Sequence, residues 1–135
     1  MMNLEIALHT GDRFKSAGVE LVYLFGSVAE GCAHPLSDLD FGIVFRDPGK
    51  VNANSFTVYN ELFDILTDAF PETAIDIVFL QVAGLEVCSD AIRHSQLLFA
   101  SSEDARYEFE ERVMILYADF KPLLDDFNEA VLQRI

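Results

Sequence analysis

The chain alternates between short apolar runs, which are typical of buried strands, and segments in which apolar residues recur at helical spacing. Strands are predicted at residues 20–25, 38–45 and 74–80, with a short fourth strand at 96–99. Helices are predicted between them: one ending at Gly18, a short one after Ser27, one from Asn54 or Ser55 to Pro71, and one carrying Leu85, Cys88 and Ile92. No linker or repeat divides residues 1–135. The pattern predicts a single α/β domain of the α+β type, with a small mixed β-sheet flanked by helices.

Two polar stretches interrupt this pattern. His34-Pro35 excludes a helix in the turn-rich link at residues 31–37. Asp47-Pro48-Gly49 is a strong turn signal and is expected to end the second strand.

The C-terminal segment, from about Glu103, carries more apolar positions than one side of a small sheet requires. Pro122 cannot donate a backbone hydrogen bond, so a kink or break is expected there. The apolar positions are either core or a docking surface for a second copy of the chain or a helical partner. They form two stripes, one with Phe109, Val113, Leu116, Phe120, Leu123 and Phe127, the other with Tyr107, Met114, Tyr117 and Leu124. The second stripe, with Tyr107, Met114 and Tyr117, is the candidate for docking.

Gly26 and Ser27 follow the first predicted strand, where a short helix is expected to begin. Free backbone N–H groups and the positive end of the helix dipole attract phosphate at such a junction. These two residues are therefore predicted to bind a phosphate group.

Three aspartates accompany the second and third strands. Asp38 and Asp40 open the second strand and, being two residues apart, project from one face. Asp76 lies in the middle of the third apolar run, where a carboxylate is unfavourable without a partner. Alternatively, Asp38 caps a turn and Asp76 lies on the open face of an edge strand. Taken together, the three carboxylates predict a shared Mg²⁺ site of the kind used in phosphoryl and nucleotidyl transfer.

Residues 26–44, GSVAEGCAHPLSDLDFGIV, resemble the signature of the minimal nucleotidyltransferases of the DNA polymerase β-like superfamily. Within that family the chain is most similar to the antitoxins encoded beside HEPN-domain ribonucleases. The resemblance implies a nucleotidyltransferase fold over residues 1–135. It also implies that Gly26 and Ser27 hold the triphosphate of ATP, that Asp38 and Asp40 bind two Mg²⁺ ions, and that Asp76 completes the metal site beside the attacking hydroxyl.

The resemblance further implies an activity: transfer of AMP from ATP to a tyrosine of the partner HEPN ribonuclease, which silences that toxin. One residue departs from the pattern, since Glu30 stands where many relatives have arginine. Two alternatives remain open. The chain either inhibits its toxin by contact alone or modifies a small molecule such as an aminoglycoside, although 135 residues leave little room for the extra domain that such enzymes use.

Composition narrows the classes of partner. A net charge of −14 with nine Lys and Arg argues against direct nucleic-acid binding and suits a basic protein partner. Cys32 and Cys88 do not make a disulfide framework, and both are expected to be free thiols. No signal peptide or membrane-spanning run is found, so a cytoplasmic location is expected.

Overall fold

The structure, a computed structural model, describes residues 8–25 and 38–134. Its elements are α1 (Leu8–Ser16), β1 (Val19–Phe25), β2 (Leu39–Phe45), α2 (Gly49–Ala69), β3 (Ile75–Phe79), α3 (Leu85–His94), β4 (Gln96–Ala100) and α4 (Glu103–Gln133). The four predicted strands are confirmed to within one residue at each end. The α+β fold class, with a mixed sheet and a long C-terminal helix, is confirmed as well.

The sheet has the strand order β3-β2-β1-β4. β1 pairs antiparallel with both β2 and β4, whereas β2 and β3 run parallel. β1 therefore ends at the same edge of the sheet at which β2, β3 and β4 begin. This edge is called the β1-end of the sheet below.

Each face of the sheet is covered by its own pair of helices. One face, with Val22, Leu24, Phe41 and Ile43, packs in a core cluster that includes residues of α1 and α2. The other face, with Leu21, Tyr23 and Val44, packs against Cys88 and Ala91 of α3 and against Phe109 and Val113 of α4. Alternation along the strands explains this division, because successive side chains point to opposite faces.

Gly18 ends α1 as the sequence indicates. Its φ is 81°, a left-handed conformation that glycine adopts without steric cost. Its N–H donates to the carbonyl of Lys15 over 3.0 Å, which closes the last turn of the helix before β1 begins.

The beginning of α2 corrects the sequence prediction. The helix begins at Gly49, not at Asn54 or Ser55, and so starts inside the predicted turn Asp47-Pro48-Gly49. Pro48 already has helical angles (φ −60°, ψ −26°), and the N–H of Gly49 donates to Oδ1 of Asp47 over 3.0 Å. The turn residues therefore serve as a helix start, a position that tolerates proline because the first N–H groups have no intrahelical partner.

Of the kink or break expected at Pro122, the break is wrong, because α4 continues through this residue to Gln133. The kink stays a prediction. Its start is capped by Ser102, whose hydroxyl accepts from the N–H of Ala105 over 3.1 Å. Among the described residues, no helix is both long enough and apolar enough to cross a membrane.

Candidate functional site

Asp40 and Asp76 are direct register partners in the parallel pair of β2 and β3. Asp38 immediately precedes β2 and lies two residues before Asp40, so the alternation of the extended chain directs both side chains to one face. Asp76 lies on an edge strand and is exposed, as one alternative for this residue anticipated. The same geometry also places it beside Asp40, and all three predicted carboxylates lie at the β1-end of the sheet.

The side chains of the two strands place this site on the α3–α4 face. Val44 of β2 and Val78 of β3 belong to the core cluster beneath α3 and α4. Asp40 and Asp76 are separated from these residues by an even number of positions and therefore project from the same face. A molecule that approaches the carboxylates does so from the side that carries α4.

The electrostatics of Asp40 reflect this crowding. Burial raises the pKa of its carboxyl group, and the negative charges of Asp76 and Asp38 raise that pKa further. Each effect disfavours the ionised form, the first by loss of hydration and the second by repulsion between like charges. The site thus holds negative charge at a cost that a bound cation would relieve.

The carboxylate oxygens of the three aspartates are ligands of the kind that Mg²⁺ binds. The ion prefers carboxylate oxygens and is usually bound by one or two carboxylates together with substrate phosphates. Within residues 8–25 and 38–134, however, no three His, Cys, Asp or Glu side chains converge into a group that would hold a cation by themselves. The observed relation among the three aspartates is electrostatic, because the charges of Asp76 and Asp38 act on the carboxyl group of Asp40.

The predicted phosphate-binding residues Gly26 and Ser27 lie outside the described residues, as do Glu30 and Cys32. β1 ends at Phe25, which is the register partner of Asp40. The role of Gly26 and Ser27 in binding a triphosphate stays a prediction.

Gly42, two residues after Asp40 on the same face, has a positional role that the sequence pattern did not indicate. A Cβ at this position would lie 3.0 Å from Cδ1 of Leu80 and 3.1 Å from Cε1 of Phe25. These contacts are tighter than side chains normally tolerate. Glycine therefore allows Phe25 and Leu80 to pack over β2 directly behind the carboxylates.

A second unpredicted feature holds α4 against the sheet. The hydroxyl of buried Tyr23 in β1 donates to Oε1 of Glu110 over 3.0 Å, and Nε of Arg106 donates to the same oxygen over 3.1 Å. Burial and the adjacent Glu110 carboxylate raise the pKa of Tyr23 far above its ordinary value, so the hydroxyl keeps its proton. This network joins the centre of the sheet to the first half of α4.

Comparison with known proteins agrees with this geometry. The family described as Polymerase beta, Nucleotidyltransferase matches residues 12–104. No curated protein matches the chain.

Solved structures of toxin–antitoxin complexes contain chains with a similar fold. One, a toxin–antitoxin with AMP-PNP, has a chain that is 23% identical with a TM-score of 0.62, and the match covers 86% of this chain and 93% of that chain. A mutant form of the toxin–antitoxin MntA-HpeT gives 20% identity and a TM-score of 0.60, with coverage of 86% and 93%. A chain in the complex of a tri-AMPylated HEPN toxin from Shewanella oneidensis with MNT antitoxin is 19% identical with a TM-score of 0.55. The match covers 88% of this chain and 96% of that chain.

At these identities the structural likeness establishes the fold. It confirms that the chain has the fold of the minimal nucleotidyltransferases that its sequence resembles. The family match is the stronger finding, because it spans more than half of the 135 residues and includes all three aspartates. The chain belongs to the polymerase β-type nucleotidyltransferase family.

Proposed function

We propose that this chain is an antitoxin that transfers AMP from ATP to a tyrosine of a cognate HEPN ribonuclease and thereby silences it. Family membership supports nucleotidyl transfer. The structural neighbours support the biological setting, since one contains AMP-PNP and another contains an AMPylated HEPN toxin beside an MNT antitoxin. Both partners would act in the cytoplasm, where ATP and RNA are available.

The observation that carries the proposal is the register pairing of Asp40 with Asp76, with Asp38 two residues before Asp40. Two Mg²⁺ ions held by these aspartates would neutralise charge on the triphosphate and lower the pKa of the attacking hydroxyl. Gly26 and Ser27 are predicted to anchor the β- and γ-phosphates. The chain then contributes mainly positioning and fixed charge, which suits a small domain.

The exposure of Asp76 on the edge strand favours a large acceptor over a small one. An acceptor held by a docked protein needs no enclosed pocket, because the protein interface supplies the positioning. This supports a protein tyrosine as acceptor over an aminoglycoside.

The test uses the purified chain, its cognate HEPN ribonuclease, Mg²⁺ and ATP labelled in the α-phosphate. Label is expected on the ribonuclease, and peptide mass spectrometry is expected to place it on tyrosine. Asp38→Asn and Asp40→Asn should each abolish labelling. Asp64→Asn is the matched control, because it removes one exposed carboxylate from α2, away from the site. Equal labelling by all four proteins would overturn the assignment of the site.

Contact inhibition is the second candidate, favoured by one sequence feature. Glu30 places an acid beside the predicted triphosphate-binding residues, where many relatives have arginine. If Glu30 faces the phosphates, Glu30→Arg should tighten ATP binding measured by calorimetry. A chain that binds its toxin tightly without transferring label would be a contact inhibitor.

A further inference from the structure

The apolar stripe that begins at Phe109 is only partly covered by the part of the chain that the structure describes. Phe109 and Val113 are 5% and 4% exposed and pack against the sheet. Beyond them the same stripe continues uncovered. Its exposed members are Leu116, Phe120, Leu123 and Phe127, named here the α4 seam.

The spacing of the stripe indicates what kind of element covers it. From Phe109 to Phe127 the steps are four, three, four, three and four residues, the repeat of a coiled-coil seam. At 3.6 residues per turn the six positions lie within roughly 80° of the helix circumference. A narrow stripe of this repeat fits the side chains of another helix better than it fits a sheet or a membrane surface.

The direction of α4 relates the seam to the carboxylates. α4 starts near the beginning of β1, where the N–H of Ser101 donates to the carbonyl of Glu20. Farther along α4, the ring of Tyr117 contacts the guanidinium of Arg93, which lies 5.2 Å from the ring centroid. Arg93 is in the last turn of α3, just before β4 begins at the β1-end of the sheet. α4 therefore runs toward the β1-end, and its seam lies on the side of the sheet that carries Asp40 and Asp76.

Charge distinguishes between the two candidate occupants of the α4 seam, which are a second copy of this chain and a helix of another protein. Asp119 and Asp126 flank the seam at positions adjacent to it in the four–three repeat. Two copies of the chain would bring these acids and two net charges of −14 together. A helix with basic flanking residues would instead complement them.

We infer that the α4 seam is the docking surface for a helix with an apolar stripe and basic flanks, supplied by the HEPN ribonuclease. This rests on the proposed function, which requires the ribonuclease to bring its tyrosine to the carboxylates. Docking along the seam supplies affinity through apolar burial and presents the partner to the β1-end of the sheet.

The chain offers a closely matched pair of variants. Leu123 and Leu132 are 68% and 69% exposed and both lie on α4. They are nine residues apart, which places them on opposite sides of the helix at about 3.6 residues per turn. Glutamine preserves helix propensity and charge at each position. Leu123→Gln therefore tests the seam, and Leu132→Gln controls for the loss of an exposed leucine.

Binding is measured by calorimetry without nucleotide, using a ribonuclease variant that lacks RNA cleavage. Leu123→Gln should weaken binding about tenfold or more, while Leu132→Gln should stay within about twofold of the parent. Thermal melts should be alike for both variants, because neither leucine is buried. Asp119→Asn with Asp126→Asn should also weaken binding, and more so at low salt.

The outcomes separate this inference from the proposed function. If the ribonuclease binds both leucine variants equally, the seam is not the docking surface, whereas AMP transfer can stand. If binding depends on Leu123 but no AMP is transferred, the seam stands and the proposed activity falls. If the chain alone forms a dimer by light scattering that Leu123→Gln dissociates, the occupant is a second copy and the inference is overturned. A ribonuclease that does not bind the parent chain contradicts both.

Discussion

Replacing Asp76 by asparagine should stabilise the protein in the absence of divalent cations, because it removes one of three mutually repelling carboxylates. Asp76 and Asp40 are directly opposed on neighbouring strands. The charges of Asp76 and Asp38 contribute to the raised pKa of Asp40. Asparagine has nearly the shape of aspartate and leaves the strand pairing unchanged, so electrostatic relief should dominate.

The expected gain in stability follows from the distance between paired strands and from the solvent exposure of Asp76 and Asp40. Paired strands lie about 4.8 Å apart, and two unit charges at ~5 Å interact by about 0.8 kcal/mol in water and about 3 kcal/mol at an effective dielectric constant near 20. Asp76 is exposed and Asp40 only half-buried, so solvent screening favours the lower value. Side-chain pairs on neighbouring strands typically contribute about 0.2–1 kcal/mol, and like charges in such a pair are destabilising. We expect a gain of about 0.3–1 kcal/mol, or a rise in Tm of roughly 1–4 °C.

The assay is thermal unfolding at low ionic strength in EDTA, with Asp64→Asn as the control for lowering the net negative charge by one unit. The gain should also depend on pH. A carboxyl group whose pKa is higher in the folded than in the unfolded state lowers stability as pH rises through that range, and the penalty disappears on acidification. The advantage of Asp76→Asn should therefore be greatest near neutral pH and shrink on acidification, as Asp40 gains its proton.

Equal melting of Asp76→Asn and Asp64→Asn at pH 7 would refute the reasoning, since the charge removed is the same and only its neighbours differ. A gain that persisted unchanged in acid, where carboxyl groups are protonated, would refute it also, because repulsion requires an ionised Asp40.

Further predictions concern the packing around the site. Gly42→Ala should lower the free energy of unfolding by about 1–3 kcal/mol, because the added methyl group overpacks against Leu80 and Phe25. Gly84→Ala is the control: nothing lies within 4 Å of its added methyl group, so the free energy of unfolding should change by less than about 0.5 kcal/mol. Equal losses of stability for the two variants in urea titrations would contradict this prediction. Tyr23→Phe removes the hydrogen bond to Glu110 and should cost about 0.5–1.5 kcal/mol, and an unchanged urea midpoint would argue against the anchoring role of this network. Cys88 is buried, donates its thiol to a backbone carbonyl and has a raised pKa, so alkylation should require unfolding; rapid modification of the native protein would contradict its burial.

The sequence predicted the strands well because each is a short apolar run bounded by turn residues. It also identified the three aspartates, since carboxylates at the start or in the middle of such runs need a reason to be there. Their meeting depends on the parallel pairing of β2 with β3, a tertiary relation that local periodicity does not contain. The sequence could therefore predict that Asp40 and Asp76 share a site, but it could not predict that they are register partners on neighbouring strands.

Two elements were misjudged for identifiable reasons. Asp47-Pro48-Gly49 has the composition of a turn, yet Pro48 and the side chain of Asp47 are equally suited to start a helix. α4 passes through Pro122 in a stretch where most side chains are exposed, so the carbonyl that loses its intrahelical donor is open to hydration. The periodicity of α4 also could not show which part of its stripe is covered, because the point at which the sheet stops supporting the helix is set by tertiary packing.

Silencing of the ribonuclease by AMP transfer, as opposed to contact, is tested most directly by separating the two proteins after reaction. The ribonuclease is incubated with the chain, ATP and Mg²⁺, isolated under denaturing conditions, refolded and assayed for RNA cleavage, with Asp76→Asn in a parallel reaction. Ribonuclease from the parent reaction should stay inactive, and that from the Asp76→Asn reaction should recover the activity of an untreated, refolded sample. Full recovery in both reactions would contradict the account, because an inhibitor that acts by contact leaves no modification behind.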